Sequence, residues 1–103
     1  MNLVLGFVAG MLLVNSLPHI ISGVLGKTHM TPLAKDSTAL TNVVWGFANI
    51  VLGAFVLNLS GHGLSGTLSL DSYSLSFLAG ALFMGLGDAW LFSNPNARFP
   101  WFK

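Results

Sequence analysis

Three stretches of this chain, residues 3–25, 40–59 and 73–92, contain no Lys and no Arg, and that absence limits the possible folds more than any other feature. A helix rises about 1.5 Å per residue, so about 20 residues cross a hydrocarbon layer roughly 30 Å thick. Each stretch has that length. Their apolar residues recur on every helical face, whereas a soluble amphipathic helix would keep one polar side. Only 7% of the 103 residues are charged, against about a quarter in an ordinary soluble domain. The charges sit mainly in the spacers, and a single acid, Asp88, falls within a stretch. The expected fold is all-α: a single transmembrane domain, 1–103, formed as a bundle of three spanning helices.

The spacers are turn-like. One holds Gly26, Thr31, Pro32 and Ser37; the other holds Ser60, Gly61, Gly63, Ser65 and Gly66. A fourth crossing through 59–70 is disfavoured by its length and its glycines, although that segment could form a short helix along the membrane surface. The first ten residues lack the basic start of a secretory signal, and the apolar run outlasts a signal core, so the first stretch reads as a retained span.

Short loops rich in Lys and Arg stay on the cytoplasmic side. Lys27 and Lys35 occupy the first loop, and Arg98 and Lys103 the tail, which three crossings place on the same side. The N-terminus and the Ser60 to Ser72 loop are therefore expected outside, with the C-terminus cytoplasmic. Trp45, Trp90 and Trp101 would act as interface anchors at the cytoplasmic boundary, with Tyr73 marking the outer one. The tail aromatics Phe99, Trp101 and Phe102 fit a headgroup anchor, or a docking peptide for another subunit.

In lipid, helices associate through close backbone approach and interhelical hydrogen bonds. Asn15, His19, Ser22 and Gly26 share one face of the first span; Asn42, Gly46, Asn49 and Gly53 share a face of the second; Ala81, Gly85 and Asp88 lie along the third. Gly6, Gly10, Gly46, Gly53 and Gly85 are candidate packing positions. Counted from the cytoplasmic ends, His19 lies about 9 Å deep and Asp88 about 6 Å deep. A polar cluster of Asn15, His19, Asn42, Asn49 and Asp88 is thus expected, with His19 able to partner Asp88 and offset the energy of placing a carboxylate in the membrane. The plainer alternatives are an Asp88 that reaches headgroup water, and a His19 that serves the kink at Pro18, whose missing N–H frees a carbonyl one turn earlier for Asn15 or a water. His29 and His62 read as solvated loop residues.

Other chemistries find little footing. Four basic residues are too few for nucleic acid. No cysteine is present, and the histidines lie at different depths, so no metal site and no cofactor are expected. A bis-histidine haem site would need a second facing histidine. Ser22 with His19 and Asp88 could be drawn as a triad, but in a serine-rich chain such arrangements arise by chance, and no enzyme activity is expected.

The segments Asn15-Ser16-Leu17-Pro18-His19, Ser22-Gly23-Val24-Leu25-Gly26-Lys27, Thr31-Pro32 and Asn42-Val43-Val44-Trp45-Gly46-Phe47-Ala48-Asn49 resemble a family of small, uncharacterised bacterial multi-pass membrane proteins. The resemblance covers about half the chain and implies a bacterial cytoplasmic (inner) membrane and a helical fold, without an activity, substrate or cofactor. The expected partners are the lipid bilayer and either further copies of the chain or other membrane subunits. The function expected is that of a small interaction or structural protein. The alternative is an oligomeric transporter or proton-conducting protein using the His/Asp/Asn cluster, with lipid or quinone contact a fainter third reading.

Overall fold

The computed structural model describes residues 2–61 and 70–102. Within them the chain forms helix α1 (Leu3–Val24), strands β1 (His29–Thr31) and β2 (Ala34–Ser37), helix α2 (Ala39–Leu59) and helix α3 (Ser72–Phe92). All three helices are long and apolar enough to cross a membrane. Each begins on a side-chain cap, which satisfies amide groups that have no intrahelical acceptor. Asn2 accepts from the amides of Val4 and Leu5, Thr38 from that of Thr41, and Asp71 from that of Ser74. α1 ends on Gly26, whose φ of +73° suits glycine, with the amides of Gly26 and Lys27 donating to the carbonyls of Gly23 and Ser22. This is a Schellman stop. α1 remains one helix through Pro18.

α1 is the middle element. It packs along both α2 and α3, which hardly touch one another. The tightest seam joins α1 to α3. A Cβ added at Gly10 would collide with the carbonyl oxygen of Phe77 and come within 2.9 Å of the Ala81 nitrogen; one added at Gly80 would collide with the carbonyl of Phe7. Backbone therefore meets backbone there, as lipid-embedded helices require when apolar burial gives no net gain. At the α1–α2 seam side chains and backbone both approach: Ile20 lies 2.7 Å from a Cβ at Gly46 and Leu13 2.8 Å from one at Gly53, while a Cβ at Gly23 would come within 2.7 Å of the Ala39 carbonyl oxygen. Gly6 receives the ring of Tyr73, at 2.9 Å from such a Cβ, whereas Gly85 meets only Val14, at 3.7 Å. Near this end Tyr73 is fully buried, its hydroxyl bonded to that of Ser60, and the Asn2 amide donates to the Ser60 carbonyl at 3.0 Å. Tyr73 thus lies at this end of the bundle, with its ring filling the space between the helices.

The outward faces are largely apolar. Leu40, Val44, Phe47, Val51 and Phe55 on α2, and Leu75, Leu82, Phe83, Leu86 and Trp90 on α3, all stand exposed. In water each large side chain left uncovered would forgo roughly 1.5–3 kcal/mol, while hydrocarbon covers it without that loss. The expected bundle of three membrane-length helices is present, with boundaries within one residue of those read from composition. The first spacer is the departure: β1 and β2 pair antiparallel in a small hairpin, with Ser37 opposite His29 and Ala34 opposite Thr31. The hydroxyls of Thr31 and Ser37 share a hydrogen bond of 2.6 Å inside it. Gly63, Ser65 and Gly66, and most of the segment considered for a surface helix, lie outside the described residues.

Because Gly10 faces backbone and Gly85 faces a movable side chain, Gly10→Ala should destabilise the fold by about 1–3 kcal/mol. Gly85→Ala should be neutral or stabilising by up to about 1 kcal/mol, since alanine is the better helix former. Reversible unfolding in mixed micelles measures both.

Candidate functional site

The polar residues of the spans fall into two groups, one helical turn apart on α1. The first is centred on Asn42, which is completely buried near the start of α2. Its Nδ2 donates to the carbonyl oxygens of His29 at 3.0 Å, Ser37 at 3.1 Å and Thr38 at 3.0 Å. That crowd of acceptors fixes the amide orientation and turns Oδ1 towards Nδ1 of His19, 2.8 Å away. Oδ1 can only accept, so Nδ1 of His19 carries the hydrogen. One asparagine thereby joins α1, α2 and the hairpin.

The hairpin brings a second imidazole beside the first. The His19 and His29 rings meet edge to face with centroids 5.2 Å apart, and His29 rests on Phe92 of α3 at 4.3 Å. His29 was expected in solvent, but β1 places it partly buried, and its Nε2 lies buried with no hydrogen-bond partner among the described residues. Burial, and then the positive charge His19 would present, push the His29 pKa below the usual imidazole value of 6.5. His62 lies outside the described residues.

The second group spans all three helices. Asn15 Nδ2 donates to Oδ1 of Asn49 at 3.2 Å, and Asn49 Nδ2 donates to the Trp45 carbonyl at 2.9 Å. The other end of the Asn15 amide faces the Asp88 carboxyl, 3.0 Å from Oδ2 and 3.3 Å from Oδ1. His19 and Asp88 therefore take different partners, Asn42 and Asn15 respectively. Pro18 does not draw Asn15 back to its own helix, because that amide reaches across to the neighbours. Among the described residues no three His, Cys, Asp or Glu side chains converge as a metal site would require.

The three tryptophans lie towards the hairpin and tail. Trp90 is 78% exposed on the last turn of α3. Trp45 is partly buried, its Nε1 without a partner among the described residues. Trp101 stacks on Phe99 with centroids 4.7 Å apart and donates from Nε1 to the Pro32 carbonyl at 2.7 Å. With Lys35 Nζ donating to the Pro95 carbonyl at 2.8 Å, the tail is folded onto the hairpin of its own chain. A cavity of about 540 Å³ opens between them, framed by Leu33, Lys35, Asp36, Arg98, Trp101 and Phe102.

Sequence reasoning missed His29, whose burial depends on the hairpin, and Gly80 and Gly23, whose close approaches depend on which helix lies opposite. Spacing does place Gly80 near Ala81 on α3, but it does not say that Phe7 is there.

Asn42→Leu removes the acceptor for His19 and the donor for three carbonyls, so it should cost more than about 2 kcal/mol of stability. His29 should titrate below the ordinary imidazole range, read by NMR against His29→Phe. The folded state then binds this proton more weakly than the unfolded chain, so stability contributed here is lost as pH falls through the histidine range.

Comparison with protein-family models, with curated proteins and with solved structures finds no match for this chain.

Proposed function

We propose that this chain is a small integral membrane interaction protein, working as a homo-oligomer or as an accessory subunit of a larger membrane assembly. The observation that carries this reading is the condition of α3. Only 6% of its span is buried within the chain, against 28% for α1 and for α2. Its outward side includes Gly87, where an added Cβ would meet nothing within 4 Å. A glycine inside a helix costs about 1 kcal/mol relative to alanine, and in a spanning helix the usual return is close approach of another helix. Gly87 has no such neighbour among the described residues, so a second copy or another subunit is the natural occupant.

In this reading the hairpin and the tail, which carry the basic residues, face the cytoplasm, and a bacterial inner membrane is the setting. A second reading, an oligomeric proton-conducting protein or transporter, draws its support from the Asp88–Asn15–Asn49 chain, which places a titratable group inside the helical region.

Native mass measurement of gently solubilised protein should find the chain in a complex, and Gly87→Leu should weaken that association by about tenfold or more, or ~1.4 kcal/mol. A wild-type chain that emerges as a monomer without partners contradicts the interaction reading. For the second reading, vesicles containing a pH dye should show proton flux that Asp88→Asn abolishes; flux unaffected by that change contradicts it.

A further inference from the structure

We infer that Asp88 is a proton-binding site: its carboxyl carries a hydrogen donated to Oδ1 of Asn15, and this proton sets the direction of a hydrogen-bonded chain from α3 through α1 to α2. The argument is one of donors and acceptors. Asn49 is anchored by its Nδ2, which donates to the Trp45 carbonyl at 2.9 Å, so Asn49 presents Oδ1, an acceptor, to Asn15. Asn15 must answer with its own NH2, at 3.2 Å. Its Oδ1 is then left 3.0 Å from Oδ2 of Asp88, oxygen against oxygen. An ionised carboxylate is acceptor-only, but a protonated one is a donor.

Turning the Asn15 amide over does not remove the conflict. Its NH2 then donates to Asp88 at 3.0 and 3.3 Å, but its oxygen now lies 3.2 Å from Oδ1 of Asn49. Turning Asn49 as well only moves the oxygen–oxygen contact to the Trp45 carbonyl. With Asp88 ionised, every arrangement leaves one such contact between partly buried groups, which costs about the desolvation of an unpaired acceptor. With Asp88 protonated there is none: Asp88 donates to Asn15, Asn15 to Asn49, and Asn49 to Trp45.

Among the described residues no lysine or arginine of the three helices offers an alternative. α1, α2 and α3 contain no Lys or Arg. The titratable groups beside this site are His19, one turn along α1 and bonded to Asn42, and His29 of the hairpin, which rests on His19 and Phe92. Asn49 on α2 is the remaining polar side chain of the group.

Loss of the proton leaves the electron pair on the carboxylate, and the Asn15 amide turns to donate to it. The α1–α3 link becomes charge-assisted, while the α1–α2 link between the asparagines is lost. Proton occupancy thus decides whether Asn15 holds both neighbours or α3 alone. This goes beyond the interaction reading and holds whether or not the chain conducts protons.

Infrared spectroscopy of the full chain in lipid tests the site directly. The chain has three carboxylate side chains, Asp36, Asp71 and Asp88. Asp36 is exposed, and Asp71 accepts from an amide as a helix cap. At neutral pH the carbonyl band of a protonated carboxylic acid should be present and should vanish in Asp88→Asn. Should that variant fail to fold, wild-type protein with 13C-carboxyl aspartate reports the same band. Aspartate signals that are wholly carboxylate at neutral pH overturn the inference, including the case in which a sodium ion takes the proton's place and stability follows sodium instead. Unfolding temperature supplies the second readout. Across the pH range in which that acid band disappears, the wild type should lose stability as pH rises, whereas Asp88→Asn, whose amide can still donate to Asn15, should lack that loss. Identical profiles for the two proteins overturn the inference.

Discussion

Inside a hydrocarbon layer a polar group has no water to bond with, so each one must find its partner within protein. The described structure can be understood from that constraint. Asn42 supplies donors to three carbonyls where the hairpin turns back against α2, Asn49 returns one donor to its own helix and offers an acceptor outward, and Asn15 bridges both neighbours. Helix α1 is central because it carries small or polar residues on two sides: Gly6 and Gly10 towards α3, His19 and Gly23 towards α2, with Asn15 between them. α2 turns Gly46, Asn49 and Gly53 to α1, and α3 turns Gly80 and Asp88 to it, while Gly87 of α3 faces outward.

The two seams differ in how much backbone takes part. Along α1–α3, contact of backbone with backbone around Gly10 and Gly80 brings many atoms to van der Waals range, and Asn15–Asp88 and a bond from Ser76 Oγ to the Leu3 carbonyl, 2.6 Å, add polar contact. Along α1–α2 the side chains of Ile20 and Leu13 fill the notches at Gly46 and Gly53, Gly23 lets the backbone at Ala39 come close, and the His19–Asn42 and Asn15–Asn49 bonds set the register. An apolar seam between helices in lipid can slide, since most registers bury similar surface. A hydrogen-bonded pair cannot slide without losing its partner, which is why the amides specify the packing even though each adds only about 1 kcal/mol.

The spans were legible because their signal is coarse: a run of about 20 residues without charge can do little else. The buried stripe of α2 was legible too, since Asn42, Gly46, Asn49 and Gly53 lie on one helical face by spacing alone. Spacing fixes a face but not what stands opposite, and so it could bring His19 and Asp88 to similar depth without showing that Asn42 and Asn15 would reach them first. The hairpin escaped notice because its strands, His29–Thr31 and Ala34–Ser37, are too short for an alternating pattern to register. The burial of His29 followed the hairpin out of view. Tyr73 stands at the helix end its aromatic ring suggested, but its burial there depends on the notch at Gly6 and the hydroxyl of Ser60, which spacing does not show.

The claim on which this account most depends is that Asn15 holds α1 to α2 through Asn49. A double-mutant cycle with Asn15→Leu, Asn49→Leu and the pair, followed by reversible unfolding in bilayers, measures that coupling directly. The account predicts a coupling energy of about 0.6–1.7 kcal/mol, the range found for hydrogen bonds between spanning helices. Single substitutions whose effects simply add would contradict it.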